Sequence, residues 1–401
     1  MDTLNAQLRR RAMIRTMGVC TVLLVGATSL VACGSDPLVP DDPGAAGDGS
    51  LGEALEFVRA AHDLPALAGM IVREGGIVET AAVGTRVAGG SEQVTTDDLW
   101  HIGSITKSMT STVVARLAEE GLLPWSTTVS QALPDLVPRM HAAYADVTFS
   151  ELVTHTSGLR EEIHEVPIWS TLEDDVGPGT VDERREWAAQ LLAAAPARSG
   201  GEHLYSNAGY IVAGAMLEAI SSKSWETLIQ EEVFQPLGIT TGGFGAPRGP
   251  GPRDQPWGHT RDGGRWNPFA PGPGADNPAA LGPAGTVHMS LADMALYAQA
   301  HLARGRGQGG LLEPASFARL HTPAPGTAYA AGWGLEEQPW TGGVALAHSG
   351  SNNRWYARLW LAPARDFALF TVTNAAGDPG EEGTNAAAVL LIERFEAAFG
   401  R

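Results

Sequence analysis

Strand-like segments lie near both ends of this chain, and the long stretch between them is mostly helical in pattern. LAGMIVREGGIVETAAVGTRV, which begins at Leu67, contains two strand-like runs around the turn Glu74-Gly75-Gly76. From about residue 328, YAAGWGLEE, GGVALAHSG, RWYARLWLAPA and DFALFTVTNA are rich in aliphatic and aromatic residues. This order predicts an α/β (α+β) fold, in which one antiparallel sheet is built from both chain ends, is flanked by helices, and carries a mostly helical insertion.

The same patterns set the predicted boundaries of the fold. One domain is expected over residues 51–400, with its α/β part at 51–122 and 300–400 and its mostly helical part at 123–299. Apolar residues at helical spacing predict helices near 51–61, from Ser104 to Leu122, and over the C-terminal NAAAVLLIERFEAAF. The helix from Ser104 is expected to end at Gly121.

Residues 1–33 have the pattern of an export signal. A basic start with four arginines precedes an apolar run that is too short to span a bilayer comfortably. The run ends in LVAC, which resembles the lipobox of bacterial lipoproteins and predicts lipidation at Cys33. A plain signal cleaved nearby and a twin-arginine route stay open. We expect an exported lipoprotein of the bacterial cell envelope, held at the membrane by a lipid anchor and a flexible tether over residues 34–50.

Charge and cysteine content exclude several classes of function. The formal net charge is -18, so nucleic acid is an unsuitable partner for this surface. The two cysteines are Cys20, inside the signal, and Cys33. Disulfides, cysteine nucleophiles and thiolate metal sites are therefore excluded from the folded body. Neither a metal nor a cofactor is implied by the sequence.

HIGSITKSMT places Ser104 and Lys107 three residues apart at the front of a predicted helix. Side chains three apart meet across one turn, so the lysine can reach the serine hydroxyl and act as its base after losing a proton. The alternative is a serine that caps the helix and a lysine on the surface. Lysine occurs only at positions 107 and 223, which favours a dedicated role for Lys107.

Two further motifs carry groups that suit acyl chemistry. EHLYSNAGYI places Tyr205 and Asn207 before a helical run, where a tyrosine can relay protons and an asparagine can bind a substrate amide; a core tyrosine and a cap are the alternative. LAHSGSNNRWYARL has small residues between strand-like flanks, where a substrate could lie along the strand edge and a backbone N–H could join an oxyanion hole. Read alone, that segment is a turn between strands.

Taken in order, Ser-x-x-Lys, Tyr-Ser-Asn and His-Ser-Gly resemble the three motifs of the penicillin-recognising serine hydrolases. The closer match is to the β-lactamase-related branch of class C β-lactamases, D-alanyl-D-alanine carboxypeptidases and esterases. The Ser-Asp-Asn and Lys-Thr-Gly of the sister pattern are both absent, which disfavours a class A enzyme. SELVTHTSGL, PAGTVHMSLADMALYAQAHL and YAAGWGL also look like family segments in the family's order. The resemblance runs from about residue 51 to residue 399.

The resemblance implies a role for each matched residue. Ser104 would attack a carbonyl and form an acyl-enzyme, while Lys107 and Tyr205 would share the acid and base work. Asn207 would hold the amide or ester side of the substrate. The backbone N–H groups of Ser104 and Ser351 would form the oxyanion hole, and water would release the acyl group.

The third motif departs from the family pattern. His348, Ser349 and Gly350 stand where β-lactamases and carboxypeptidases mostly carry Lys-Thr-Gly. A histidine with its usual pKa is mostly neutral at neutral pH, so it should anchor a substrate carboxylate less well than lysine, although Arg354 could partly substitute. We therefore expect a serine hydrolase of esters or amides, with small-molecule or peptide substrates; a class C-like β-lactamase or D-alanyl-D-alanine carboxypeptidase is the alternative.

Readings from other classes are less well supported. A non-catalytic peptidoglycan-binding lipoprotein would explain the fold, but all three motifs keep their reactive side chains. An α/β-hydrolase would need Gly-x-Ser-x-Gly, and a zinc protease would need His-Glu-x-x-His; neither occurs. His155, in THTSGL, is expected to have a structural role. The sequence leaves the oligomeric state open.

Overall fold

The computed structural model describes residues 38–400 except positions 162, 165, 167, 169, 170, 273 and 305–309. The predicted export signal and Cys33 lie outside the described residues. Among the residues described, no helix is long and apolar enough to cross a bilayer.

A six-stranded antiparallel sheet is built from both ends of the described chain, as predicted. Its strands are β1 (Ala66–Arg73), β2 (Gly76–Gly84), β8 (Gly334–Glu337), β9 (Val344–Ser351), β10 (Tyr356–Ala362) and β11 (Phe367–Thr373). They follow one another across the sheet in the order β2-β1-β11-β10-β9-β8. The pairing of β1 with β11 joins the N-terminal and C-terminal parts of the sheet, with Leu67 of β1 opposite Thr373 of β11. The α/β fold with a sheet made from both chain ends is confirmed.

The described residues form helices that pack on both faces of this sheet and further helices within the segment 123–299. They are α1 (Leu51–Ala61), α2 (Thr106–Glu119), α3 (Val129–Ala132), α4 (Phe149–Val153), α5 (Thr180–Ala193), α6 (Asn207–Ser221), α7 (Trp225–Ile229), α8 (Gln235–Leu237), α9 (Gly282–Gly285), α10 (Leu291–Ala303), α11 (Pro314–Leu320) and α12 (Gly377–Phe399). Shorter 3-10 turns occupy Gly103–Ile105, Pro134–Arg139, Ala142–Tyr144 and Ala279–Leu281, and a π-helical turn spans Gln230–Phe234.

Strand β1 shows how the sheet is buried on both sides. Ala68 and Met70 belong to the apolar layer that also contains residues of α2 and α10. Leu67 and Ile71 point the other way, into the layer formed with α1 and α12. Because side chains alternate along a strand, a strand covered on both faces is apolar at nearly every position. The sheet is therefore the middle of three layers.

Strands also occur inside the segment 123–299 that was predicted to be mostly helical. They are β4 (Gly243–Phe244), β5 (Gly258–Asp262), β6 (Arg265–Phe269) and β7 (Val287–Met289), and β7 lies between β4 and the earlier β3 (Trp100–His101). Runs of two to five residues are too short to show the alternation that identifies a strand. The pairing of β3 with β7 ties this segment to the start of α2.

The structure differs from the predicted flexible tether at residues 38–50. Val39 is buried in the layer of α1 and α12. Arg394 of α12, fully buried, donates hydrogen bonds to the Ala45 carbonyl at 3.0 Å and the Asp48 carboxylate at 2.7 Å, and it also pairs with Glu79 of β2 at 2.8 Å. Composition indicated little to bury here, but one buried guanidinium holds the segment through polar contacts. Residues 38–50 are therefore packed on the domain.

Candidate active site

Ser104 lies in the 3-10 turn Gly103–Ile105, directly before α2. Its side chain is almost buried, with 7% of the residue exposed. Gly103 has φ +52°, and a Cβ atom there would lie 2.4 Å from the backbone nitrogen of Ser351. A Cβ on Gly350 would lie 2.7 Å from the backbone nitrogen of Ser104. Two glycines thus allow the serine turn and strand β9 to approach closely.

Lys107 is fully buried and lies at the centre of a hydrogen-bond cluster. Its Nζ is 2.9 Å from Oγ of Ser104, 2.7 Å from Oδ1 of Asn207 and 2.6 Å from the carbonyl oxygen of Ala284. Three contacts at these distances fix the amino group next to the hydroxyl. The alternative reading of Lys107 as a surface charge is wrong, because the side chain has no exposed area.

Tyr205 and Asn207 come from the start of α6. Ser206 caps this helix: its Oγ accepts the N–H of Gly209 at 3.1 Å and donates to the carbonyl of Arg160 at 2.7 Å. The buried Tyr205 ring centroid lies 4.9 Å from Nζ of Lys107. The cap thus brings the second motif onto the Ser104 and Lys107 pair.

His155 supports the same loop from behind. It has φ +60°, and its Nδ1 accepts the backbone N–H of Ser206 at 3.0 Å. Its ring centroid lies 4.3 Å from that of Tyr205. Burial lowers the pKa of His155 well below its usual value, so the ring is neutral. These contacts fit the structural role expected for His155.

Strand β9 brings the third motif to the site. Among the described residues, β8 pairs with β9 only from Val344 to Ala347, so positions 348–351 extend beyond β8. On the other side, β10 pairs with these positions, with Ser351 opposite Tyr356. Residues 348–351 therefore present a strand edge next to Ser104, and their backbone is held in place by β10.

His348 is neutral, and both of its ring nitrogens have protein partners. Its Nδ1 is 2.6 Å from the carbonyl oxygen of Ser349, which can only accept, so Nδ1 carries the proton. Its Nε2 is 2.9 Å from the hydroxyl of Tyr329 and accepts that hydrogen. Burial, with a smaller effect of the nearby Lys107 charge, lowers the pKa of His348 to about 3. This ring offers no positive charge to a substrate.

Arg354, proposed as a substitute anchor, is turned toward the protein. Its guanidinium lies 3.9 Å from the centroid of Phe269 and donates to the carbonyls of Asn353 and Gly274, each at 3.1 Å. These contacts do not favour a role in binding a substrate carboxylate.

Two parts of the site had no signal in the sequence. The carbonyl of Ala284 contacts Lys107 across 177 positions, and a main-chain oxygen has no distinctive residue type. Tyr329, the hydrogen-bond partner of His348, lies in YAAGWGL. That segment resembles a family segment, but the resemblance assigns no role to the tyrosine. Within the described part of the chain, no three His, Cys, Asp or Glu side chains are grouped so as to hold a metal ion.

Comparison with known proteins places the chain among similar sequences and structures. The family model described as Beta-lactamase matches residues 53–394. Penicillin-binding protein 4 of Amycolatopsis lactamdurans is 26% identical over 351 residues, which cover 80% of this chain and 84% of that protein. The octameric penicillin-binding protein homologue from Pyrococcus abyssi superposes with a TM-score of 0.67 at 23% identity, covering 85% of this chain and 76% of that chain. A class C β-lactamase from Rhodobacter sphaeroides superposes with a TM-score of 0.65 at 21% identity, covering 85% and 97% of the two chains.

Proposed function

Because the chain belongs to the β-lactamase family, whose members are serine hydrolases of amide and ester bonds, we propose that Ser104 is its nucleophile. Oγ of Ser104 attacks the substrate carbonyl, and its single proton passes to whichever of Lys107 and Tyr205 is deprotonated, and from there to the leaving alcohol or amine. The backbone N–H groups of Ser104 and Ser351 stabilise the oxyanion, and Asn207 orients the substrate. Water then hydrolyses the acyl ester, which releases a carboxylic acid and restores the Ser104 hydroxyl.

The observation that carries this proposal is the position of the Lys107 amino group. It lies within hydrogen-bond distance of both the Ser104 hydroxyl and the Asn207 amide oxygen. Burying a lysine amino group costs stability, so a fully buried lysine held by three contacts supports a functional role at that position. Contact between nucleophile and base is the geometric requirement of this chemistry.

For the substrate, we favour esters and amides that lack a carboxylate next to the scissile bond. His348 is neutral and both of its ring nitrogens are hydrogen-bonded within the protein, which supports this choice. The orientation of Arg354 toward main-chain carbonyls supports it as well. A class C-like β-lactamase or D-alanyl-D-alanine carboxypeptidase is the second candidate. It is favoured by the similarity to a penicillin-binding protein and to a class C β-lactamase.

The test combines active-site labelling with two substrates. We expect a fluorophosphonate to add one label to Ser104, seen by whole-protein mass spectrometry, and Ser104→Ala to remain unlabelled. We also expect faster hydrolysis of p-nitrophenyl acetate than of nitrocefin in the same preparation. Nitrocefin turnover without ester cleavage would favour the second candidate. Absence of both label and turnover would favour a non-catalytic binding protein.

We also propose an exported lipoprotein anchored through Cys33, on the evidence of the sequence. The matched pair of variants is Cys33→Ser and Cys20→Ser, since both cysteines precede the domain. Cys33→Ser should abolish metabolic labelling with palmitate and release the protein from the membrane fraction, while Cys20→Ser should do neither. Equal labelling of the two variants would contradict lipidation at Cys33.

A further inference from the structure

We propose that His101, Asp276 and Asn352 form a positioning network that fixes the distance between the two backbone N–H groups of the oxyanion hole. The inference rests on the function proposed above and adds residues outside Ser-x-x-Lys, Tyr-Ser-Asn and His-Ser-Gly. None of the three side chains is placed in contact with substrate, so they are positioning residues rather than catalytic ones.

The network begins at Gly103, which directly precedes the nucleophile Ser104. His101, at the end of β3, is fully buried, and its Nδ1 accepts the backbone N–H of Gly103 at 3.1 Å. An acceptor at Nδ1 places the proton of the neutral ring on Nε2, which lies 2.8 Å from Oδ2 of Asp276. The carboxylate thus holds the imidazole in the tautomer that binds the serine turn.

The network continues to the residue that follows the second N–H donor. Oδ1 of Asp276 accepts a hydrogen bond from Nδ2 of Asn352 at 2.7 Å. Oδ1 of Asn352 accepts the backbone N–H groups of Arg354 and Trp355, each at 3.1 Å. Asn352 directly follows Ser351, so one buried carboxylate connects both halves of the oxyanion hole.

Side-chain packing cannot set the distance between these two segments. They meet through Gly103 and Gly350, which have no side chains, and any Cβ there would overlap the opposite backbone. Hydrogen bonds to a buried carboxylate are short, directional and stronger than bonds between neutral groups. The bonds through Asp276 are therefore suited to hold the turn and the strand at one spacing.

Asp276→Asn breaks the network with almost no change of size. A carboxamide has one acceptor oxygen, whereas Asp276 accepts from His101 on one oxygen and from Asn352 and the N–H of Asn277 on the other. Whichever way the amide turns, an NH2 group meets a donor. Asp293→Asn is the matched control: Asp293 is 5% exposed, its carboxylate accepts from Thr241, and it lies outside the site.

The experiment measures the acylation rate constant with p-nitrophenyl acetate by stopped flow and the affinity for an arylboronic acid, whose tetrahedral adduct uses the same N–H groups. A displacement of about 1 Å can cost about 100-fold. We expect Asp276→Asn to lose about that factor in both quantities, while the dissociation constant of the ester changes less than about threefold. His101→Gln, which keeps a donor for Asp276 but replaces the rigid ring that accepts the Gly103 N–H with a flexible carboxamide, should show the same pattern.

The outcomes separate this inference from the function on which it rests. If wild-type protein acylates and Asp276→Asn and His101→Gln acylate as fast as Asp293→Asn, the positioning network is refuted and the proposed function stands. If Asp276→Asn does not fold, the acylation rate of His101→Gln relative to Asp293→Asn alone decides whether the network is refuted. Wild-type protein that forms no acyl-enzyme and binds no boronic acid overturns both proposals.

Discussion

Replacing Gly103 with alanine should slow acylation by moving the oxyanion hole. Gly103 has φ +52°, and its missing Cβ would lie 2.4 Å from the backbone nitrogen of Ser351 and 2.6 Å from the carbonyl carbon of Gly350. Both neighbours are backbone atoms of a strand that is paired with β10, so no side-chain rotation can relieve the overlap.

The structure sets the size of the effect. Ordinary contact of a Cβ begins near 3.4 Å, so the turn and the strand must separate by about 1 Å, a displacement that can cost about 100-fold in rate. The left-handed backbone adds a stability cost of about 1–2 kcal/mol for any residue with a Cβ. The same conformation without the overlap occurs at Gly121, which has φ +73° and nothing within 4 Å of a built Cβ.

The assay compares Gly103→Ala with Gly121→Ala. Both variants should show decreases in the free energy of unfolding in urea because both carry the backbone strain, and the decrease should be larger for Gly103→Ala because it also carries the overlap. Only Gly103→Ala should show the decrease of about 100-fold in the acylation rate constant for p-nitrophenyl acetate. Equal acylation rates in the two variants would refute the argument that close approach of the serine turn to β9 builds the oxyanion hole.

Three further predictions concern the proposed base Lys107, the buried His259 and the segment 38–50. Lys107→Met removes the group that contacts Ser104, so labelling by a fluorophosphonate should slow by about 100-fold or more; unchanged labelling would exclude Lys107 as the base. Burial lowers the pKa of His259 to about 4, so below about pH 6.5 the unfolded chain binds more protons and stability should fall as the pH approaches 4; a constant melting temperature would contradict this. Arg394→Met should speed proteolysis within residues 38–50 while esterase activity is kept, and unchanged cleavage would show that other contacts hold the segment.

The contact between Ser104 and Lys107 could be predicted because it is local. Residues three apart meet across a helical turn, and the structure places Nζ of Lys107 2.9 Å from Oγ of Ser104. The predicted helix from Ser104 differs in detail, since Ser104 belongs to the 3-10 turn and α2 starts at Thr106. A 3-10 turn has three residues per turn, so it also aligns side chains three apart. The contact does not depend on which helix type forms.

Contacts between distant segments could not be predicted from residue types. Asp276 lies in a Pro- and Gly-rich stretch, and its link to His101 spans 175 positions. A single aspartate in such a stretch is most often a turn residue. The packing of residues 38–50 was missed for the same reason, because its anchor, Arg394, lies 346 positions from Asp48. Family resemblance supplied the order of the motifs, and these pairings are seen only in the structure.

The state of His348 limits which substrates the site can select. To attract a carboxylate, the ring would need a second proton, and burial beside the Lys107 charge lowers its pKa to about 3. At neutral pH that proton costs several kcal/mol, and a proton on Nε2 would replace the hydrogen bond that this atom now accepts from Tyr329. A neutral ester requires neither change, because it needs only the strand edge at residues 348–351 and the oxyanion hole. We therefore expect selection between esters and carboxylate-bearing amides to depend on this buried, neutral ring more than on Ser104 and Lys107, which in the proposed mechanism serve both reactions.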